Sequence, residues 1–178
     1  KDKEENKKYD IALPKEYKPL YVKSELPVYK HAIHYLTKRG IRISDILRYS
    51  IGYCDSGLYN NRIIVPSYDA DGKLNYFIAR SIFGDGFKYK NPPMSKDTVC
   101  FELLINWNEP IVLCEGMFDA IAIRRNAIPL LGKFPSKTLI KKIIEKNVKK
   151  VYVALDNDAV LDAVKLSKFL MDYGINTY

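Results

Sequence analysis

The spacing of apolar residues changes character along this chain. After Pro27, residues Tyr29, Ala32, Ile33 and Leu36 recur at three- and four-residue intervals, which predicts a helix from Val28 that Gly40 stops. Ser44 is placed to cap a second short helix carrying Ile46 and Leu47. The middle of the chain then switches to strand composition. Arg62-Ile63-Ile64-Val65-Pro66 and Leu74-Asn75-Tyr76-Phe77-Ile78-Ala79-Arg80 read as strands, and Asp69-Ala70-Asp71-Gly72 between them is a hairpin signal. Gly84-Asp85-Gly86 marks another turn, and Lys88-Tyr89-Lys90-Asn91-Pro92-Pro93 has the composition of an ordered loop.

The last third alternates short continuous apolar runs with helical periodicity. Residues 111–114, 128–131 and 151–155 are strand candidates, and continuous runs of this length suggest burial on both faces of a parallel sheet. A helix is expected over about 118–126, and Gly132 closes the strand that follows it. Ser136 caps the next helix, whose buried face would be Leu139, Ile140, Ile143 and Ile144. The last helix would bury Ala159, Ala163, Leu166, Leu170 and Tyr173. Strand and helix in strict alternation predict a doubly wound parallel sheet flanked by helices. The fold class is therefore α/β, with a mixed α+β N-terminal subdomain ahead of that sheet. Three parts are expected: an extended lead-in over 1–27, a basic subdomain over 28–106 and the α/β subdomain over 107–178.

Composition narrows the functional classes. A 178-residue chain that is 47% apolar and 12% aromatic can build a core and is not disordered. The net charge of +8 favours a polyanionic partner. Cys54, Cys100 and Cys114 are widely separated and form no CxxC pair, which excludes a zinc ribbon within the chain and fits a reducing compartment. No apolar run approaches the roughly 20 residues of a membrane span. His31 and His34 lack a Cys or acidic partner and are not read as metal ligands. The lysines between Lys133 and Lys150 fall opposite an apolar stripe and read as a solvated face. Trp107 reads as a packing residue.

Two of the apolar runs end abruptly in acids. The first gives Cys114-Glu115-Gly116 with Asp119 shortly after, and the second gives Leu155-Asp156-Asn157-Asp158. In open α/β sheets ligands gather beyond the carboxyl ends of the strands. Neighbouring strands are about 4.8 Å apart, so Glu115, Asp156 and Asp158 fall within reach of one shared ion. Three carboxylates that close repel one another unless a cation neutralises them, and oxygen-only ligands favour magnesium or manganese over zinc. Singly, each acid is equally explained as a helix N-terminal residue favoured by the macrodipole, or as an N-cap. Their joint placement at two strand ends is what favours the metal reading.

These two segments, Cys114-Glu115-Gly116-Met117-Phe118-Asp119 and Leu155-Asp156-Asn157-Asp158, resemble the two signatures of the Toprim fold, which primases, topoisomerases and some nucleases share. The upstream residues narrow the resemblance. Asn61-Arg62-Ile63-Ile64-Val65-Pro66, Asp69, Gly72 and Phe77-Ile78-Ala79-Arg80 resemble the core of bacterial DnaG-type DNA primases. Lys88-Tyr89-Lys90-Asn91-Pro92-Pro93 is similar to that family's Lys-Tyr-x-Asn-Ser-Pro stretch, with Pro92 in place of Ser. Tyr35-Leu36, Arg39-Gly40-Ile41 and Ile51-Gly52-Tyr53 fit the same pattern, so the resemblance runs from about residue 28 to the end. It points to a phage-type relative. Departures lie at Val160-Leu161, where the family has Ala-Gly, and at the end of the chain, which stops at Tyr178 where a strand leading to a further acidic pair would begin. The resemblance implies a central catalytic segment without the family's upstream zinc-binding module.

The resemblance implies an enzyme that synthesises short RNA primers on single-stranded DNA by metal-assisted nucleotidyl transfer. It implies Glu115, Asp119, Asp156 and Asp158 as catalytic residues, with magnesium or manganese held by Glu115, Asp156 and Asp158. Arg62, Arg80, Lys88, Tyr89, Lys90 and Asn91 would contact nucleic acid or nucleoside triphosphate. The implied partners are single-stranded DNA, nucleoside triphosphates and a replicative helicase, with no membrane, in a bacterial or phage-infected cytoplasm. The rival readings are a Toprim nuclease or topoisomerase-like enzyme and a non-catalytic nucleic-acid-binding module. The basic, β-rich half argues against the first, and the intact Glu115 with Asp156-x-Asp158 argues against the second.

Overall fold

The computed structural model describes residues 11–84 and 86–178. The start of the lead-in and Asp85 of the Gly84-Asp85-Gly86 turn lie outside these residues. The N-terminal half is a four-stranded antiparallel sheet made of β1 (Tyr17–Pro19), β2 (Gly52–Cys54), β3 (Arg62–Tyr68) and β4 (Leu74–Ser81), in that order. Between β1 and β2 lie the helices α1 (Pro27–Lys38) and α2 (Ile43–Arg48). Pro27 suits the first turn of α1, where its missing N–H is not needed. Gly40, with φ of 70°, donates its N–H to Thr37 O at 2.9 Å and ends the helix. Ser44 lies inside α2 rather than capping it. The start of α2 is instead held by the Asp45 carboxylate, which accepts the Arg42 N–H at 2.8 Å. The β3–β4 hairpin turns as expected: Asp69 Oδ1 accepts the N–H groups of Asp71 and Lys73 at 3.0 and 2.9 Å.

Tyr17–Pro19, within the segment read as lead-in, closes the first sheet against β2. Gly52 permits that closure. A Cβ at this position would lie 2.2 Å from Tyr17 Cε2 and 2.6 Å from the Lys18 carbonyl oxygen. The Tyr17 hydroxyl donates to Ser50 O at 2.7 Å, which anchors the ring in place. Gly52→Ala is therefore expected to destabilise the fold by about 2 kcal/mol, as overpacking does. Urea unfolding would read this as a lower midpoint at unchanged slope. An unmoved midpoint would mean that β1 yields without cost.

The C-terminal half is a parallel sheet of β5 (Ile111–Cys114), β6 (Ala127–Pro129), β7 (Lys150–Ala154) and β8 (Asn176–Thr177), in the spatial order β6-β5-β7-β8. The chain leaves β5 through α3 (Met117–Ile123) to β6 on one side, and returns through α4 (Lys137–Glu145) to β7 on the other. Helix α5 (Val160–Met171) then leads to β8. The first crossover steps from β5 to β6 and the second passes back across β5 to β7, so a switch point lies between the carboxyl ends of β5 and β7.

Four local expectations are corrected here. Helix α3 ends at Ile123, short of Asn126, because Arg124 takes a left-handed conformation with φ of 55°. In that position Arg124 donates to Asp45 Oδ2 at 3.1 Å and to Gly40 O, tying α3 to the first half. Strand β6 ends at Pro129, before Gly132, and Leu131 takes a positive φ of 55° in the turn that follows. Ser136 does cap α4, accepting the Leu139 N–H at 3.1 Å, but Ile144 is 46% exposed and Tyr173 53% exposed. Ile144 lies off the Leu139–Ile143 stripe, and Tyr173 follows the end of α5, where helical periodicity no longer sets its direction. Strand β7 is buried on one face only: Val151 is buried whereas Tyr152 and Ala154 face outward.

One buried cluster runs from Ala32 and Leu36 of α1 through Tyr53, Ile63 and Val65 to Cys114, Met117, Phe118 and Ile121, so α1 and α3 share a dry junction between the sheets. A second holds Ile111, Leu113, Ile128, Leu139, Ile143, Val151, Leu166 and Leu170, with Trp107 packed at its edge. Among the described residues no helix is long and apolar enough to cross a membrane.

Candidate functional site

Parallel pairing of Cys114 with Ala154 brings the ends of β5 and β7 side by side, so Glu115 and Asp156 leave the sheet together. Glu115 Oε1 accepts the Asp156 N–H at 3.2 Å, which fixes the two strand exits relative to each other. A short turn over Asn157–Ala159 then brings Asp158 round. Glu115, Asp156 and Asp158 each offer a carboxylate oxygen, and these oxygens lie within 4.8 Å of one another. Glu115 is half-buried, while Asp156 and Asp158 are exposed. Hard anionic oxygens in this number and spacing suit magnesium or manganese.

Asp119 lies on the wall of the same site and is tied to the turn before α3. Its Oδ2 accepts the Gly116 N–H at 2.9 Å and so closes the first turn of α3. A Cβ at Gly116 would sit 3.0 Å from that oxygen, so the glycine makes room for the carboxylate. Burial, reinforced by the charges of Asp119, Asp156 and Glu115, pushes the Cys114 thiol up from its ordinary range.

A cavity of about 390 Å³ opens beside the acids. Its walls include Glu115, Asp119 and Asp156, together with Arg39, Arg80, Lys88, Tyr89, Asn91 and Lys96. The Lys88–Asn91 loop is pinned along β4: Ser81 N–H donates to Lys88 O at 3.1 Å, Lys90 N–H to Ala79 O at 2.9 Å, and Asn91 Oδ1 accepts from Ala79 N–H at 3.3 Å. This pinning sets the Arg80 guanidinium 4.9 Å from the Tyr89 ring centre and 5.8 Å from that of Tyr35. Arg39 in turn lies 5.1 Å from the Tyr35 ring and 5.3 Å from that of Phe118. Arg80 Nε and Nη1 and the Tyr35 hydroxyl are buried and have no hydrogen-bond partner among the described residues. Buried donors left this way are costly unless a ligand meets them.

Of the residues singled out in the sequence, the fold gathers Glu115, Asp119, Asp156, Arg80, Lys88, Tyr89 and Asn91 around one cavity, with Asp158 at the rim of the acids. Arg62 and Lys90 do not line it; Arg62 Nη1 donates to Ala79 O at 3.3 Å. Arg39 and Lys96 were not marked as site residues by the sequence. Both reach the cavity by contacts between distant parts of the chain that no local spacing encodes.

No protein-family model matches the chain. "Uncharacterized protein MG010" of Mycoplasma genitalium is 30% identical over 162 residues, covering 84% of this chain and 73% of that protein. The chain belongs to the MG010 family. A second member, the MG010 homolog of Mycoplasma pneumoniae, is 29% identical over 157 residues, 82% of this chain and 74% of its own length. The DNA primase of Thermotoga maritima is 27% identical over 204 aligned positions, which cover 88% of this chain but 36% of the primase. The solved DnaG primase catalytic domain bound to single-stranded DNA superposes with a TM-score of 0.69 at 20% identity, over 86% of this chain and 64% of that one. The Aquifex aeolicus primase, with its zinc-binding and RNA polymerase domains, gives 0.69 at 23% identity over 84% of this chain and 49% of its own. The fold of this MG010-family chain is therefore that of the DnaG primase catalytic core, and the chain spans less than two thirds of those solved structures.

Proposed function

We propose that this chain is the catalytic core of a DNA primase, joining ribonucleotides on a single-stranded DNA template. The observation that carries the reading is the convergence of Glu115, Asp156 and Asp158 beside a cavity whose lining also carries the cations Arg39, Arg80, Lys88 and Lys96. That pairing of charge suits a reaction in which a nucleoside triphosphate and a divalent ion meet at one point. Asp156 and Asp158 would hold magnesium or manganese, with Glu115 as a further ligand or as the group that accepts the proton of the primer 3′-hydroxyl. When bound, the ion lowers the proton affinity of the attacking hydroxyl and neutralises charge on the phosphates. Asp119 positions Glu115 by holding the turn at Gly116.

Arg80, Lys88 and Arg39 would hold phosphate oxygens, and Tyr89 offers a face on which a base can stack. Arg80 is suited to this role, since two rings flank its guanidinium and its Nε and Nη1 have no hydrogen-bond partner among the described residues. Asn91 supports the loop from within the cavity. Arg62 and Lys90 would contribute charge along the path of the strand outside it. The substrates are single-stranded DNA and nucleoside triphosphates, the natural partner is a replicative helicase, and the setting is a cytoplasm.

The test is incorporation of labelled ribonucleotides on circular single-stranded DNA with magnesium, alongside supercoiled plasmid in the same buffer. Short RNA products that require the template are expected, with the plasmid left intact. Nicking or relaxation of the plasmid without RNA synthesis would replace this reading with a nuclease or topoisomerase-like one.

A further inference from the structure

Lys133 follows Gly132 in the loop that leaves β6, and its side chain turns back toward the acids. Its Nζ lies 3.8 Å from Asp158 Oδ2 and 3.6 Å from Asp162 Oδ2. Asp162 sits in the first turn of α5, one turn beyond Asp158. The backbone on both sides of Lys133 is held. Leu131 O accepts Lys96 Nζ at 3.3 Å, the Phe134 ring packs edge-on to Phe169 at 5.3 Å, and Ser136 Oγ donates to Thr98 O at 3.2 Å. The ammonium is thus presented at the acids by a fixed loop and does not arrive there by chance of a long mobile segment.

An exposed ion pair of this kind contributes little to stability. Its position gives it a different consequence, because Asp158 is one of the three converging carboxylates while Asp162 is not. We propose that Lys133 is a resident counter-ion of the acidic site, holding Asp158 until a divalent cation takes it and then resting on Asp162 alone. The inference depends on reading Glu115, Asp156 and Asp158 as the divalent site. An ammonium beside a ligand oxygen repels a divalent ion on that oxygen, so the ion must displace it. The compact charge on a flexible four-carbon stem lets Lys133 move between the two carboxylates without disturbing the loop. Lys133 therefore raises the concentration of ion at which the site fills, while relieving repulsion among the carboxylates when it is empty of metal.

The experiment measures free Mn²⁺ by electron paramagnetic resonance as it is titrated into the full chain. Lys133→Gln is expected to bind Mn²⁺ about threefold or more tightly than wild type at low ionic strength, with the difference shrinking in high salt. Lys133→Arg keeps the charge and should stay near wild type. Lys141→Gln removes an exposed lysine paired with Glu145 at 3.6 Å on α4, and should also leave the affinity unchanged. Asp156→Asn should weaken binding in every background. Equal or weaker binding by Lys133→Gln, with Asp156→Asn still damaging, would overturn the counter-ion role and leave the site reading standing. Mn²⁺ binding that ignores Asp156→Asn would overturn both.

Discussion

Glu115→Gln is expected to reduce primer synthesis by about 10³-fold or more while changing single-stranded DNA affinity by less than about twofold. The amide keeps the shape of the side chain and an oxygen that can accept the Asp156 N–H, so the tie between the two strand exits survives. What it removes is a negative charge at the point where three carboxylates converge. In the proposed function the template would be held mainly by the basic residues of the cavity, which the substitution does not touch. A loss of rate without a loss of affinity marks an interaction made in the transition state. Asp156→Asn should behave in the same way, with partial rescue by manganese if it is a direct ligand. Near-normal synthesis by Glu115→Gln would mean that the active site has been wrongly assigned.

The second large effect concerns nucleic acid. Arg80→Ala and Lys88→Ala are each expected to weaken single-stranded DNA binding and to reduce the salt slope by about one, because each removes a proposed phosphate contact. Arg80→Ala should be the more damaging, since its guanidinium also packs against Tyr89 and Tyr35. Lys146→Ala, beside Trp107 and Lys149 at the amino ends of β5 and β7 and so opposite the acids, should change little. Fluorescence anisotropy across a salt series would separate these outcomes. Equal losses from all three would show a diffuse attraction to basic surface in place of a groove.

The features that carry this account differ in how far the sequence exposes them. Apolar runs that stop in Glu115 and in Asp156 announce two strand ends, and strand–helix alternation announces the parallel sheet that sets them side by side. Both signals are local, because strand burial and the helical period leave a regular mark on the order of apolar and polar residues. The Asp69 turn and the Ser136 cap are legible for the same reason: a short polar side chain bonds the backbone within a few residues. Where two local caps compete the reading fails, as at α2, where Asp45 and not Ser44 bonds the first free N–H.

Other features depend on which distant surfaces meet. Arg124 leaves the helical conformation because its guanidinium finds Asp45 and Gly40 across the junction. Arg39 enters the cavity because α1 meets α3 where the Tyr35 ring lies edge-on to that of Phe118. Lys133 reads as one member of a lysine-rich run, yet the loop after β6 carries it away from the solvated face of α4 and onto the acids. Nothing in the immediate neighbourhood of these residues encodes such contacts. The outward-facing Tyr152 and Ala154 make the same point for β7, where a continuous apolar run is buried on one face only.

The most direct test of the central claim is an anomalous difference map from crystals of the chain soaked in manganese. A peak is expected beside the carboxylates of Asp156 and Asp158, at the exits of β5 and β7. A strong peak elsewhere on the molecule, with none beside these two residues, would contradict it.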